Sequence, residues 1–434
     1  MSDAPLPCLT TEVPGPRSRE LAGELRRWEN PNVTFLDPEG RFPVFWESAR
    51  GCLVTDVDGN TFLDLTAAFG VAAVGHTHPR VAAALAEQSR KLIHGMGDVH
   101  PSAVKVELAR KIAERTPGDL GHCLFGANGG DAVEAAIKSA RLATGKPGVL
   151  AFSGGYHGLT FGALAVTSRE DFRAPFAGQV PTFARHVPYP DSPVSALASL
   201  DAVEAALRAP DSDIGAVLAE PIQGRGGIVV PPPGWLSALR DLCDRYRVLL
   251  ILDEIFTGWG RTGYWFACDA EGVVPDVLCV GKAMGGGFPI SACVVRPEVA
   301  RAWGASRGEA LHTSTFLGSP LGCAAALAAI SVLEEENLPE RARSAGAYFK
   351  ERLGELAARH PRHVAETRGR GLMLGLRFRE KETALSLMYA LLRRGLIVLP
   401  AGPGDVLEFV PPLVIEPAQI DYAIAQMDAA LAAC

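Results

Sequence analysis

Four short apolar runs most constrain how this chain can fold: "GVLAFSGG" (148–155), "IGAVLAEPI" (214–222), "RVLLILDEI" (247–255) and "DVLCVGKAM" (276–284). Aliphatic and β-branched runs of this length without polar alternation read as parallel strands covered on both faces. Helical patterns separate them, among them "DAVEAAIKSARLAT" (131–144) and "GWLSALRDLCDRY" (234–246). The middle of the chain therefore reads as a wound α/β domain with a mostly parallel sheet. From about Cys323 an alanine-rich helix leads to "RGRGLMLGLRF" (368–378) and a last helix ending "IAQMDAALAAC", a pattern that reads as a smaller α+β domain. The expected division is a disordered proline-rich segment over 1–20, an N-terminal part of the small domain over 21–60, a large domain over 61–322 and the small domain over 323–434.

Composition removes several function classes. With 42 Lys plus Arg against 49 Asp plus Glu, the net charge of −7 leaves no basic excess for a phosphate backbone, so nucleic acid is not an expected partner. No stretch reaches the roughly 18 uncharged apolar residues of a membrane span, and the first residues lack a charged-then-apolar leader, so a cytoplasmic protein without a membrane partner is expected. Nine cysteines without a CxxC fit reduced thiols. His76 and His78 have no acidic or cysteine partner nearby in sequence, and no metal site is expected. His94 and His100 suit the substrate entrance or a subunit contact. Neither G-x-x-x-x-G-K-[ST] nor G-x-G-x-x-G after a first strand occurs, which argues against nucleotide sites.

Ligands of open parallel sheets bind beyond the carboxyl ends of the strands, and polar residues gather there in this sequence: Glu220, Asp253, Glu254 and Lys282. An acid and a lysine at neighbouring strand ends make a plain buried ion pair by default. The three glycines of "GKAMGGGFP" point further, because they let a flat group approach the backbone beside Lys282. A lysine that forms a Schiff base must lose its proton, and burial lowers its pKa from the free value of about 10.4. An aromatic aldehyde cofactor with a phosphate handle accounts for the pieces. Asn128, Gly129 and Gly130 form a glycine-rich turn into a helix at Asp131, where backbone amides can hold phosphate. Tyr156, with His157 beside it, offers a stacking surface. Asp253 suits the acid that keeps a pyridine nitrogen protonated.

From about Gly51 onward the chain resembles the class III, or ω-type, aminotransferases, pyridoxal 5'-phosphate enzymes of fold type I. The resemblance rests on "GGDAVEAAIKSAR", "GGYHG", "EPIQGRGG", "LILDEIFTGWGRTG", "LCVGKAMGGGFP" and "HTSTFLGSPLGCAAA", in the family's order and spacing. It implies that Lys282 carries the Schiff base and shuttles the proton, that Asp253 pairs with the pyridine nitrogen, that Tyr156 or its neighbour stacks on one ring face and Ile255 on the other, and that Gly129 and Gly130 bind phosphate. It also implies a homodimer in which Thr315 reaches the phosphate of the neighbouring subunit, and an amino transfer between an amine or amino acid and a keto acid.

Three departures stand beside these matches. A hydroxyl side chain is missing from the phosphate turn Asn128-Gly129-Gly130, and Phe256 stands where many members have a glutamine. At the substrate end, Glu408 occupies the usual position of an arginine that forks an α-carboxylate, and Arg225 the position of its glutamate partner. We expect Arg225 and Glu408 to face each other across the site as an inverted pair, or else to point into solvent. Arg370 is a further candidate for a substrate carboxylate. Glu408 also keeps an amino acid or amino-lactam racemase or epimerase open as the alternative, with a decarboxylase behind it. A scaffold that kept only the fold would be expected to have lost Lys282 or Asp253.

Overall fold

The computed structural model describes residues 4–433. A seven-stranded sheet forms the large domain, in spatial order His122–Gly126, Ser291–Val295, Val277–Val280, Leu249–Asp253, Ile214–Ala219, Gly148–Phe152 and Ala184–Val187. The four expected apolar runs are its centre and pair in parallel, while Ser291–Val295 is antiparallel to both neighbours. Every residue of Gly148–Phe152, Ile214–Ala219 and Val277–Val280 is buried, because helices cover both sheet faces. The strands' carboxyl ends therefore bring Glu220, Asp253 and Lys282 to one edge. No helix among the described residues is long and apolar enough to cross a membrane.

The remaining strands form two smaller sheets. One joins Trp46–Arg50, Leu53–Asp56 and Thr61–Asp64 to Leu396–Ile397, and the other orders Val364–Arg370, Met373–Phe378, Val406–Phe409 and Leu399–Ala401. The N-terminal strands do join the C-terminal lobe, but the expected boundary at 60/61 cuts a hairpin: Thr61–Leu63 pairs with Leu53–Thr55, and Leu63 and Asp64 with Leu396 and Ile397. The boundary at 322/323 likewise falls inside the helix Pro320–Glu335. The segment expected to be disordered is also anchored over its described part. Cys8 exchanges backbone hydrogen bonds with Thr61, the N–H groups of Thr10 and Thr11 donate to Asn60 Oδ1, and a helix runs over Pro16–Trp28. Proline-rich composition hid this because those partners lie some fifty residues away.

The three glycines after Lys282 have a different purpose from the expected one. Chain direction reverses through the short helical turn Lys282–Gly285, and Gly286 and Gly287 take φ of +56° and +112°, values open to glycine. A Cβ at Gly286 would stand 2.9 Å from the Ala329 Cβ on the helix Pro320–Glu335. The glycines thus turn the chain and admit that helix, and none lines the cavity beside Lys282. Gly286→Ala combines a left-handed backbone with a steric overlap, so we expect it to cost about 1–3 kcal/mol, read as a thermal midpoint several degrees lower. An unchanged midpoint would show that the turn relaxes freely.

Candidate active site

A cavity of about 310 Å³ lies beyond the strand ends and is lined by Asn128, Gly129, Gly130, Tyr156, His157, Gly158, Glu220, Arg225, Asp253, Ile255, Phe256 and Lys282, among others. All but one of the cofactor-directed sequence candidates converge there; Thr315 does not. Thr315 is exposed on a loop away from the cavity of its own chain.

The helix Gly129–Thr144 forms one wall. Asn128 caps it by accepting from the Asp131 N–H, and the Asp131 carboxylate accepts from the Ala127 N–H at 2.8 Å, so the turn before the helix is closed on itself. The first N–H groups of a helix have no intrahelical acceptor, which leaves Gly129 and Gly130 as donors facing the cavity. Cβ atoms would fill this cradle: one on Gly129 would stand 3.0 Å from Ile255 Cδ1, and one on Gly158, at φ +120°, 3.0 Å from Gly130 Cα.

Asp253 ends its strand with both oxygens engaged. Oδ1 accepts from the Ile255 N–H at 3.1 Å, and Oδ2 lies 2.8 Å from His157 Nδ1. Burial alone would lower the His157 pKa, but the Asp253 contact outweighs it and the net shift is upward. His157 was expected beside Tyr156 as a stacking surface; it is instead the fixed partner of Asp253, 96 residues away, a contact that no local pattern announces. Glu220 is the second residue whose role the sequence reading missed. Its carboxylate accepts from the Tyr156 N–H and the Gly224 N–H, each at 3.0 Å, and so pins the loop carrying Tyr156 to the loop carrying Arg225. Glu254, grouped with these acids in sequence, turns away: it is buried and accepts from Thr257 Oγ1, the Ala267 N–H and the Cys268 N–H. Alternation of side chains at a strand end separates the two neighbours.

Lys282 has a backbone φ of +43°, an unusual conformation for a residue with a Cβ. Its Nζ sits 3.6 Å from the centroid of the Phe256 ring, so the departure at position 256 supplies a cation–π contact. Burial pushes the Lys282 pKa down to about 8, against the opposing pull of Asp253, Glu408 and Glu220. The amine is thereby brought within reach of its neutral, nucleophilic form.

Arg225 and Glu408 do not form the expected pair: among the described residues no ion pair or hydrogen bond joins them. Arg225 is half-buried at the cavity, and no hydrogen bond joins its guanidinium to another of the described residues. Glu408 is 1% exposed and its Oε2 has no hydrogen-bond partner. Arg370 lies beside the Tyr264 ring at 5.8 Å and outside the cavity lining. His76 is hydrogen-bonded to Asp64 at 2.7 Å, and His94 packs on Phe316 with ring centroids 5.2 Å apart.

The class-III aminotransferase family model matches residues 35–431. The chain belongs to the class-III aminotransferases. It is 43% identical over 402 residues to an acetylornithine aminotransferase from Methanopyrus kandleri, covering 92% of this chain and 97% of that protein. It superposes with a TM-score of 0.88 on an (S)-enantioselective ω-transaminase from Thermomicrobium roseum, at 31% identity over 95% of this chain and 98% of the other. It superposes with a TM-score of 0.85 on a Toxoplasma gondii ornithine aminotransferase described with pyridoxal phosphate at its active site, at 31% identity over 95% of this chain and 94% of the other. The fold is that of type I transaminases, and the cofactor is pyridoxal phosphate. The donors left open at Gly129 and Gly130, the glycine cradle and the buried Asp253–His157 pair fit that group, and the cavity lies within the usual range of about 300–1,000 Å³ for small-molecule sites.

A partly desolvated lysine with a lowered pKa costs the cofactor-free fold stability. The folded pKa lies below the unfolded one, so the cost is full below about pH 8 and is relieved as pH rises from 8 toward 10.5. Removing the amine should therefore stabilise the cofactor-free protein at pH 7 by about 3 kcal/mol. Thermal melts of cofactor-free wild type and Lys282→Met at pH 7 and pH 10.5 check this. A gap that fails to narrow at high pH would contradict the burial argument.

Proposed function

We propose that this aminotransferase moves an amino group from a carboxylate-bearing amine to a carbonyl acceptor, with Lys282 as the proton-transferring residue. The observation that carries the reading is the half-buried Lys282 amine at a strand end, beside Asp253 and open to a cavity where Arg225 is the one arginine among the described residues that line it. Pyridoxal phosphate, when bound, supplies the electron sink that stabilises negative charge on the substrate carbon. The N–H groups of Gly129 and Gly130 hold the phosphate. Tyr156 and Ile255 would flank the ring, and Asp253, oriented by His157, would keep its nitrogen protonated. Lys282 in its neutral form takes the proton from the substrate carbon and delivers it again on the other side of the transfer. Arg225 binds the substrate carboxylate, which agrees with relatives named for acetylornithine and ornithine.

A homodimer completes the site in this reading. The loop bearing Thr315 packs on the segment around residue 97, where Thr313 Oγ1 donates to Asp98, and together they expose Leu92, Ile93, Met96, Val99 and Phe316. Apolar side chains gathered in this way support burial against a second copy, with Thr315 reaching the partner's phosphate. Eight cysteines among the described residues are free thiols, which supports a cytoplasmic setting.

Lys282→Ala should still bind cofactor yet lose turnover by at least about a thousandfold, and Asp253→Ala should lose cofactor affinity and rate together. Absorbance titration with pyridoxal phosphate and a donor-only half-reaction give both quantities. Repeated turnover by Lys282→Ala would refute the role given to the lysine.

A further inference from the structure

Lys282 Nζ makes no hydrogen bond or ion pair among the described residues, and its one directional neighbour there is the face of the Phe256 ring, with the centroid 3.6 Å away. That ring is clamped. A Cβ on Gly70 would stand 2.6 Å from Phe256 Cε2, and one on Gly224 would overlap Cδ1, so two glycine backbones close on opposite edges of the ring. Ile222, Ile228, Met373 and Val410 pack with it in one apolar cluster, and only 8% of Phe256 is exposed. The segment that brings Gly70 to the ring is strained: Ala67, Ala68 and Phe69 hold φ of +46°, +49° and +64°, left-handed values that residues with a Cβ rarely adopt in succession. The Asp64 carboxylate holds this turn, Oδ2 accepting from the Ala68 N–H at 3.1 Å. Two remote segments thus fix where the Phe256 face lies, and with it where the amine rests.

A ring face has a property that a carboxylate in its place would lack. Its quadrupole attracts an ammonium, yet it has no lone pair with which to take the proton away. The acids around Lys282 are turned to other donors or stand off: Asp253 and Glu220 each accept two hydrogen bonds elsewhere, and neither they nor Glu408 bonds to Nζ. Arg225, the fourth charge near the amine, opposes a second cation.

We propose that Phe256 is a positioning residue that holds the protonated form of Lys282 between its two proton transfers, attracting the charge without competing for the proton. This role rests on Lys282 as the proton-transferring residue. Nζ uses its lone pair to bind the proton that leaves the substrate carbon, and the C–H bonding pair stays behind on that carbon. The resulting ammonium keeps the proton over the ring until it is delivered again.

Two apolar replacements without a π face, Phe256→Leu and Phe256→Met, and one that keeps the ring, Phe256→Tyr, test this in the full chain freed of cofactor. Acetic anhydride is the probe: acetylation of Lys282, followed by mass spectrometry across pH, inflects where the amine loses its charge. Asp253, Glu220, Glu408 and Arg225 stay in place in every variant, so a difference reports position 256. Wild type should inflect at about pH 8. Removing an attraction that favours the ammonium should lower the inflection by about one unit in the Leu and Met variants, while Tyr stays within about 0.3 unit of wild type. A ring that only kept water out gives the opposite sign, because water admitted beside Nζ favours the charged form and raises the inflection. In the holoenzyme, a donor-only half-reaction with 5-aminopentanoate should slow about threefold to tenfold above the inflection in the Leu and Met variants, since a weaker base takes the proton less readily, and Tyr should keep the wild-type rate. An unmoved or raised inflection in both Leu and Met overturns the role of Phe256, and so does a lowered inflection with no loss of half-reaction rate. Repeated turnover by Lys282→Ala removes instead the lysine reading beneath it, a result on which the labelling profile does not depend. If Phe256→Leu folds poorly, the Met and Tyr variants decide.

Discussion

The desolvation of one amine organises this site. Lys282 follows a fully buried strand directly into the cavity, where it is half-buried and the Phe256 ring and the strand ends replace part of the water that would solvate its charge. Its pKa falls toward neutrality for that reason, and the carboxylates of Asp253, Glu408 and Glu220 limit how far it falls. Reactivity and instability at Lys282 are the same quantity seen from two sides. A lysine that shed no charge on burial would be easier to accommodate and would be a poorer nucleophile.

The acids around it show how a low-dielectric site keeps order. Asp253 is held between a backbone N–H and His157, Glu220 between two loop amides, and Glu254 by three donors on the outer side of the strand end. Each is satisfied by groups of the chain itself, so each has a fixed direction before any ligand arrives. Glu408 breaks that rule.

The two domains are tied together at the site. Arg261 is completely buried in the segment after Asp253, and its Nη1 donates to the carbonyls of Leu372 and Pro411, which flank the strands bearing Gly375 and Glu408. Burial pushes its pKa down to about 9, which still leaves it charged at neutral pH. The Gly402 N–H donates to the Arg225 carbonyl at 2.9 Å, joining the small domain to the loop that Glu220 also holds. A shift of the small domain would therefore move Arg225 and Glu408 together relative to Lys282.

Much of this was legible in the residues. Uninterrupted apolar runs declared the parallel strands because burial on both faces removes polar alternation, and the strand-end positions of Asp253 and Lys282 followed from that alone. The helix from Asp131 was legible by its local pattern, whereas its start at Gly129 and the Asn128 cap came from the structure. What only the tertiary structure decided are the contacts between segments distant in sequence. The pairing of His157 with Asp253, the anchoring of the N-terminal segment on Asn60, the packing purpose of Gly286 and the separation of Arg225 from Glu408 each depend on where two remote backbones come to lie. Residue type and spacing specify the strength a contact can have, and the packed chain specifies which partners are near enough to make it.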